Sequence, residues 1–165
     1  MGEMLESINL RKAVESDINL IVGFIREIAE YEKMLNEVIA TEDEVYESIF
    51  KRKEAEVLII EKDSNPIGYV VYFFNYSTFI GRSGFYLEDI YIKPKYRGKG
   101  YGKKVFKYLT KLAYEKGCHR MEWSCLNWNK PSIEFYKSLG AVPMSEWTVY
   151  RLTRDKFKDV YESKM

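Results

Sequence analysis

The chain predicts a mixed α/β domain built on one sheet with helices on both faces. Three observations carry this. Short runs rich in β-branched and aromatic residues recur along the chain, bounded by turn residues. Segments of helical period lie between them. The order is strand, two helices, then strands pairing antiparallel, then strand, glycine-rich loop, helix, strand, helix, strand. A length of 165 residues suits a single domain spanning 1–165, long enough to bury a core.

Each element has its own signal. Ile8-Asn9-Leu10-Arg11 reads as a first strand. Ser16 and Asp17 are N-cap candidates for a helix through about Met34, and Ile18, Ile21, Ile25 and Ile28 line one face of it. Thr41-Glu42-Asp43-Glu44 has capping-box spacing and opens a second helix ending near Phe50. Val57 to Glu61 is a strand, Asn65-Pro66 turns the chain, and Ile67 to Phe74 returns it as a hairpin. Tyr86 to Ile92 forms the next strand, which Pro94 stops. A helix follows with Val105, Tyr108, Leu109 and Leu112 on one face, and Lys116-Gly117 ends it. Arg120 to Leu126 is strand-like. Asn129 caps a short helix with Pro131 in its first turn, closed by Gly140. Val149-Tyr150-Arg151-Leu152 reads as a last strand.

Composition narrows the function classes. Hydrophobic content of 46% and charged content of 31% are the balance of a soluble globular protein, and no apolar run is long enough for a membrane span. Met1 to Glu6 shows no basic-then-apolar leader pattern, so a cytoplasmic location is expected. Cys118 and Cys125 match no metal spacing and are too few for a disulfide scaffold. His119 is the single histidine, which argues against a His/Cys zinc site and a Ser-His-Asp triad; no metal is expected. Net charge is +1, yet residues 27–63 carry twelve acids against five bases, while residues 93–111 carry eight bases and no acid. The two halves suit a cationic substrate and a phosphorylated ligand, or are simply two solvated faces.

Three groups of residues carry chemistry. Arg97-Gly98-Lys99-Gly100-Tyr101-Gly102, with Lys103 and Lys104 behind, joins a strand to a helix. Glycines there let a ligand approach the backbone, and the helix start offers N–H groups and a positive dipole end, a seat for a pyrophosphate. Glu88-Asp89 interrupts an apolar strand just upstream. Asn129 and Tyr136 stand seven residues apart, about two turns, on the short helix.

Taken in order, these motifs resemble the GNAT superfamily of acetyl-CoA-dependent N-acetyltransferases. The family pattern Arg/Gln-x-x-Gly-x-Gly/Ala is met by Arg97 to Gly102. Ala29-Glu30-Tyr31-Glu32-Lys33, Tyr86 to Ile92, Tyr96-Arg97-Gly98 and Trp128-Asn129…Phe135-Tyr136-Lys137…Gly140-Ala141 are similar to the diamine (spermidine/spermine) acetyltransferases and their thialysine-acetylating branch. The resemblance covers roughly residues 8–155. It implies the GNAT fold, with about six to seven strands and about four helices on both faces. It also implies acetyl-CoA as co-substrate, a small-molecule amine acceptor and a homodimer, with neither nucleic acid nor membrane as partner.

The resemblance assigns roles residue by residue. Glu88 is similar to the family's base: an ammonium with pKa of about 10.4 must lose a proton before it can attack a thioester. Leu87 and Ile90 suggest a partly apolar setting for it; the plainer reading is a salt-bridged strand glutamate. Tyr136 resembles the acid that protonates the departing thiolate, against a plain core tyrosine. Ile90, Tyr91 and Ile92 resemble the main-chain contacts to pantetheine and the acetyl carbonyl. Arg97, Gly98, Lys99, Gly100, Tyr101, Gly102 and Lys103 resemble the pyrophosphate cradle, and Asn129 and Ser132 pantetheine contacts, Asn129 also serving as N-cap. Tyr31, Glu32, Glu88 and Asp89 match the patch that holds a cationic amine. Asp89 lies on the opposite face from Glu88 if the strand is regular, but the family has a β-bulge near here, so it can instead serve the fold or support the site.

Substrate choice turns on departures from the polyamine branch. That branch has an acid where this chain has Ser77, and a Glu-Gly-Trp run where this chain has Trp147-Thr148-Val149-Tyr150. A thialysine-like, lysine-like or short diamine acceptor fits better than spermine. The alternatives are a protein N-terminal or lysine acetyltransferase of the same fold, a nucleic-acid-binding module using Lys93 to Lys111, and a CoA-binding sensor. Few aromatics interleave with the basic stretch, and Glu88 and Tyr136 are intact.

Overall fold

The computed structural model describes residues 7–164. Met1 to Glu6, on which the leader reading rests, lie outside the described residues. The chain divides into two compact units between Leu126 and Asn127.

The first unit holds β1 (Ile8–Lys12), α1 (Ile18–Tyr31), α2 (Glu42–Tyr46), β2 (Glu56–Lys62), β3 (Asn65–Ser77), β4 (Arg82–Ile92), α3 (Tyr101–Glu115) and β5 (Met121–Glu122). Its sheet runs β1-β2-β3-β4-β5, antiparallel throughout except for the parallel pair β4–β5. β2 is buried continuously from Val57 to Ile60, the mark of a central strand covered on both sides. On one face Val57, Ile59, Tyr69 and Tyr91 pack with Ile21 and Phe24 of α1 and Val45 of α2. The Phe24 and Tyr69 rings stack at 5.3 Å. On the other face Tyr72 stacks on Phe85 at 4.6 Å. There burial, with Glu56 and Tyr108 of α3 nearby, pushes the Tyr72 hydroxyl up to about 12. Val105, Phe106 and Leu109 of α3 are buried.

The helix starts follow the capping logic with one difference. Thr41 accepts from the Glu44 amide at 3.2 Å, as its spacing predicts. Asp17 instead turns back, taking the Val14 amide at 2.8 Å and both outer nitrogens of Arg11 at 2.7 and 3.0 Å. That fork holds the Asp17 carboxyl below the usual carboxylate range.

The second unit contains α4 (Lys130–Ser138) and α5 (Arg154–Tyr161). Here the expectations need correcting. Val149 to Leu152 forms no strand, and its side chains are exposed. An alternating apolar pattern makes a strand only where a partner edge receives it. The strand expected over Arg120 to Leu126 is only Met121–Glu122. The sequence gives little signal for α5, whose apolar residues Phe157, Val160 and Tyr161 form only a thin stripe. The described residues thus hold five strands, where six to seven were expected, and five α-helices, besides short 3-10 and π-helical turns. No helix among them is long and apolar enough to cross a membrane.

Candidate active site

A single inserted residue organises the first unit's site. Across β3 and β4, Val71 faces Asp89 while Tyr72 faces Leu87. Glu88 is therefore the inserted residue of a β-bulge. A bulge of one residue reverses the alternation beyond it. Before it, Phe85 and Leu87 point to the α3 face with Tyr72. After it, Asp89 and Tyr91 point to the α1 face with Tyr69.

The main chain changes sides as well. The Phe85 amide donates toward β5, to the Arg120 carbonyl at 3.0 Å. The Lys93 amide donates the other way, to Ile67 of β3 at 2.8 Å. Counting back from Lys93, Tyr91 aims its N–H at β3, and Ile90 and Ile92 aim theirs at the opposite edge. β5 pairs with β4 only at Phe85 and Tyr86. The strand from Leu87 to Ile92 therefore runs on beyond the end of β5, and the edge carrying the Ile90 and Ile92 amides lies along that extension. Were Glu88 itself paired in regular alternation, those amides would face β3.

Three carboxylates gather where β4 meets the end of α1. Asp89 accepts the Tyr69 hydroxyl at 2.6 Å. Burial pushes the Asp89 carboxyl above its ordinary range, against the lowering effect of that hydrogen bond. Tyr69 is 0% exposed, and burial followed by the Asp89 charge drives its own proton affinity well up, so it remains the donor. Glu32, half-buried in the C-cap position of α1, is raised first by burial and then by the charges of Asp89 and Glu88. The apolar setting expected around Glu88 is found one residue on, at Asp89; Glu88 itself is exposed. Among the described residues no group of acids, histidines or cysteines is arranged to hold a metal. Nothing in the sequence distinguishes Tyr69 from the thirteen other tyrosines; its role shows only in the assembled sheet.

The glycine loop follows directly. Gly98 and Gly100 have φ of +73° and +78°, and a Cβ at either would meet no atom within 4 Å. The loop thus needs left-handed backbone and leaves open space beside it. Gly100 is the N-cap of α3 and offers no side-chain cap, so the first amides of the helix are served by whatever fills that space. Lys99 and Lys103 are exposed beside it, while Tyr101 is buried, fixing the first turn in the core. These features suit a phosphorylated ligand.

Arg97 is arranged differently from the rest of its motif. Its Nε donates to the Ile92 carbonyl at 2.7 Å. Its guanidinium carbon lies 4.7 Å from the Tyr31 ring centroid and 5.4 Å from that of Tyr91. Burial, with a hydrogen bond to Glu27 of α1, pushes the Tyr91 hydroxyl up to about 12.

Ser77 is 4% exposed at the end of β3, and its hydroxyl accepts the Ile80 amide at 3.3 Å, so the side chain is committed to the turn. In the second unit the Asn129 side chain accepts the Ser132 amide at 3.4 Å and caps α4. Tyr136, half-buried on α4, has its ring 5.7 Å from that of Phe135. The structure thus brings Glu32, Glu88 and Asp89 together in the first unit, with Tyr31, Ile90, Tyr91, Ile92 and the Arg97 to Lys103 loop nearby. Asn129, Ser132 and Tyr136 share one short helix of the second.

Comparison with known proteins gives a consistent answer. The Acetyltransferase (GNAT) family model matches residues 22–141. Thialysine N-epsilon-acetyltransferase of Sus scrofa is 36% identical over 168 residues, covering 94% of this chain and 98% of that protein. L-ornithine N5-acetyltransferase of Arabidopsis thaliana is 40% identical over 93 residues, covering 56% of this chain and 41% of that protein. In fold, an integron cassette protein from the mobile metagenome of V. cholerae superposes with a TM-score of 0.78 at 22% identity, covering 95% of this chain and 99% of that one. A bulged strand, a left-handed glycine loop at a helix start and a family match across most of its length place this chain in the acetyltransferase (GNAT) family, as an acetyltransferase.

Proposed function

We propose that the chain transfers the acetyl group of acetyl-CoA to the primary amine of a small cationic acceptor, thialysine-like, lysine-like or a short diamine. The observation that carries this reading is the bulge at Glu88. One insertion sets a carboxylate at the bend, turns Asp89 toward Glu32 and directs the Ile90 and Ile92 amides to the extended edge. The names of the relatives support an amine acceptor.

Acetyl-CoA supplies an acetyl group activated as a thioester. Gly98 to Lys103 and the start of α3 hold its pyrophosphate, and Asn129 and Ser132 contribute contacts to its pantetheine arm. The Ile90 and Ile92 amides serve the arm and the acetyl oxygen. Glu32 and Asp89 bind the acceptor ammonium beside the Tyr31 ring. Glu88, exposed and so able to work through water, takes its proton. The freed amine nitrogen bonds to the carbonyl carbon as the carbon–sulfur bond breaks; Tyr136, in the acid role the resemblance gives it, protonates the departing sulfur, and the nitrogen releases its second proton through water, which restores the tyrosine.

The family match spans the boundary between the units, which supports reading 1–165 as one acetyltransferase domain. The exposed apolar side chains of Val142, Met144, Trp147, Val149 and Tyr150 support a homodimer. Two free thiols, Cys118 and Cys125, fit a reducing compartment such as the cytoplasm.

The test is release of free CoA from acetyl-CoA over a panel of amines and peptides. Turnover with thialysine, lysine-like amines or short diamines is expected to exceed that with spermine in kcat/KM. Spermine as the best substrate would overturn the acceptor assignment. Acetylation of peptides with no activity on any free amine would move the reading to a protein acetyltransferase.

A further inference from the structure

We propose that Arg97, the first residue of the glycine-loop motif, is a positioning residue for the amine acceptor. The inference rests on the amine-acetyltransferase reading above and goes beyond it. The motif alone assigns Arg97 to the pyrophosphate. Its side chain is engaged elsewhere. The Nε edge of the guanidinium is committed to the Ile92 carbonyl, and its planar group lies over two rings, Tyr31 and Tyr91.

Those contacts join three pieces of the site. Ile92 ends the β4 segment that carries the main-chain donors. Tyr91 lies two residues beyond Asp89 on the same face and is bonded to Glu27 of α1. Tyr31 is the last residue of α1, directly before Glu32. A cation at this helix end is also favoured by the dipole. Arg97 therefore fastens the end of α1, with Tyr31 and Glu32, to the strand with Glu88 and Asp89. Arg97 leads directly into Gly98 and Gly100, so this fastening adjoins the cofactor loop.

Lysine cannot substitute. It keeps the charge but has neither an Nε donor edge nor a planar group to stack. The geometry thus demands an arginine even where a pyrophosphate needs only a positive charge.

The experiment measures amine KM at saturating acetyl-CoA, together with acetyl-CoA Kd by calorimetry, for wild type, Arg97→Lys, Arg97→Ala, Tyr31→Phe, Tyr31→Ala and the Arg97→Ala/Tyr31→Ala pair. Arg97→Ala and Arg97→Lys are expected to raise amine KM by about 5- to 30-fold even when acetyl-CoA is saturating. Tyr31→Phe keeps the ring under the guanidinium and should raise amine KM far less than Tyr31→Ala. Tyr31→Ala should raise amine KM like Arg97→Ala, and the double variant should be little worse than either single one. Tyr31 is exposed, so its variants test the contact with Arg97 without depending on the fold of the loop. An unchanged amine KM in both Arg97 variants, with only acetyl-CoA Kd altered, overturns the proposal, as does strict additivity in the pair. A wild-type protein that binds acetyl-CoA but acetylates no free amine overturns the proposed function instead, and calorimetry separates the two failures.

Discussion

Tyr69→Phe removes one oxygen atom from the core and leaves the rest of the ring in place. The hydroxyl sits 2.6 Å from Asp89 Oδ2, and the ring packs on Phe24 with centroids 5.3 Å apart. Phenylalanine keeps that stacking, so no cavity term enters. What is lost is a donor to a carboxylate that burial already disfavours in its charged form. A hydrogen bond to a charged group contributes about 1.5–3 kcal/mol, and one between neutral groups about 0.5–1.5 kcal/mol. Because the folded Asp89 is raised above its unfolded value, its contribution to stability is fully present below the unfolded pKa and lost as pH rises through the folded one. Removing the donor raises the folded value further and deepens that loss. The expected cost is therefore larger at pH 8 than at pH 4, because the ionised fraction of Asp89 grows as pH rises. For a chain of this length each kcal/mol moves Tm by about 2–4 °C. Circular-dichroism melts should then show a drop of about 3–12 °C at pH 8 and about 1–6 °C at pH 4. Equal drops at the two pH values, or none at pH 8, would show that the Tyr69–Asp89 bond does not hold the charge.

Further outcomes follow from the same geometry. Gly100→Leu should abolish acetyl-CoA binding by calorimetry, because φ of +78° strains any side chain and the space beside it is the proposed pyrophosphate seat; wild-type affinity would refute that seat. Glu88→Gln should lower kcat by about 10²- to 10⁴-fold with amine KM little changed, while Glu32→Gln should mainly raise amine KM; the reverse pattern would exchange their roles. Because Glu32 is raised by burial and by its acidic neighbours, it protonates earlier than an ordinary carboxylate as pH falls, so amine KM should climb on the acid side in wild type and flatten in Glu32→Gln. Gly68→Ala should destabilise by about 1–3 kcal/mol in urea melts, since its Cβ would collide with the Tyr91 main-chain carbonyl; an unchanged midpoint would mean the two strands separate there at no cost.

The sequence made local elements legible where the signal was local. The period of α1, the Thr41 cap, the β2 run and the glycine loop can each be read within a few residues, and each stands close to where it was expected. The bulge could not be derived that way. Whether Asp89 points to α1 or to α3 depends on its register against β3, and register belongs to two strands at once. The same holds for Val149 to Leu152, whose pattern states a preference for pairing without naming a partner. The direction of the Arg97 side chain was hidden because a motif records residue types and spacing, while the rings that hold it lie far away in sequence at Tyr31 and close by at Tyr91. The sequence leaves Asp89 ambiguous because its partner Tyr69 is visible only once the sheet is assembled.

In the Phe85 to Ile92 segment, length carries information that identity does not. A substitution at Glu88 changes one functional group and leaves the strand's parity intact. Deleting any one residue from Glu88 to Tyr91 would remove the insertion and return β4 to simple alternation. Leu87 would still lie opposite Tyr72 and the next residue opposite Val71, so the positions of Asp89 and Tyr91 would still face α1 and the two outward amides would still face outward. A point mutant at Glu88 therefore tests the carboxylate alone, whereas its deletion removes the carboxylate together with the bend and leaves the strand on either side in register.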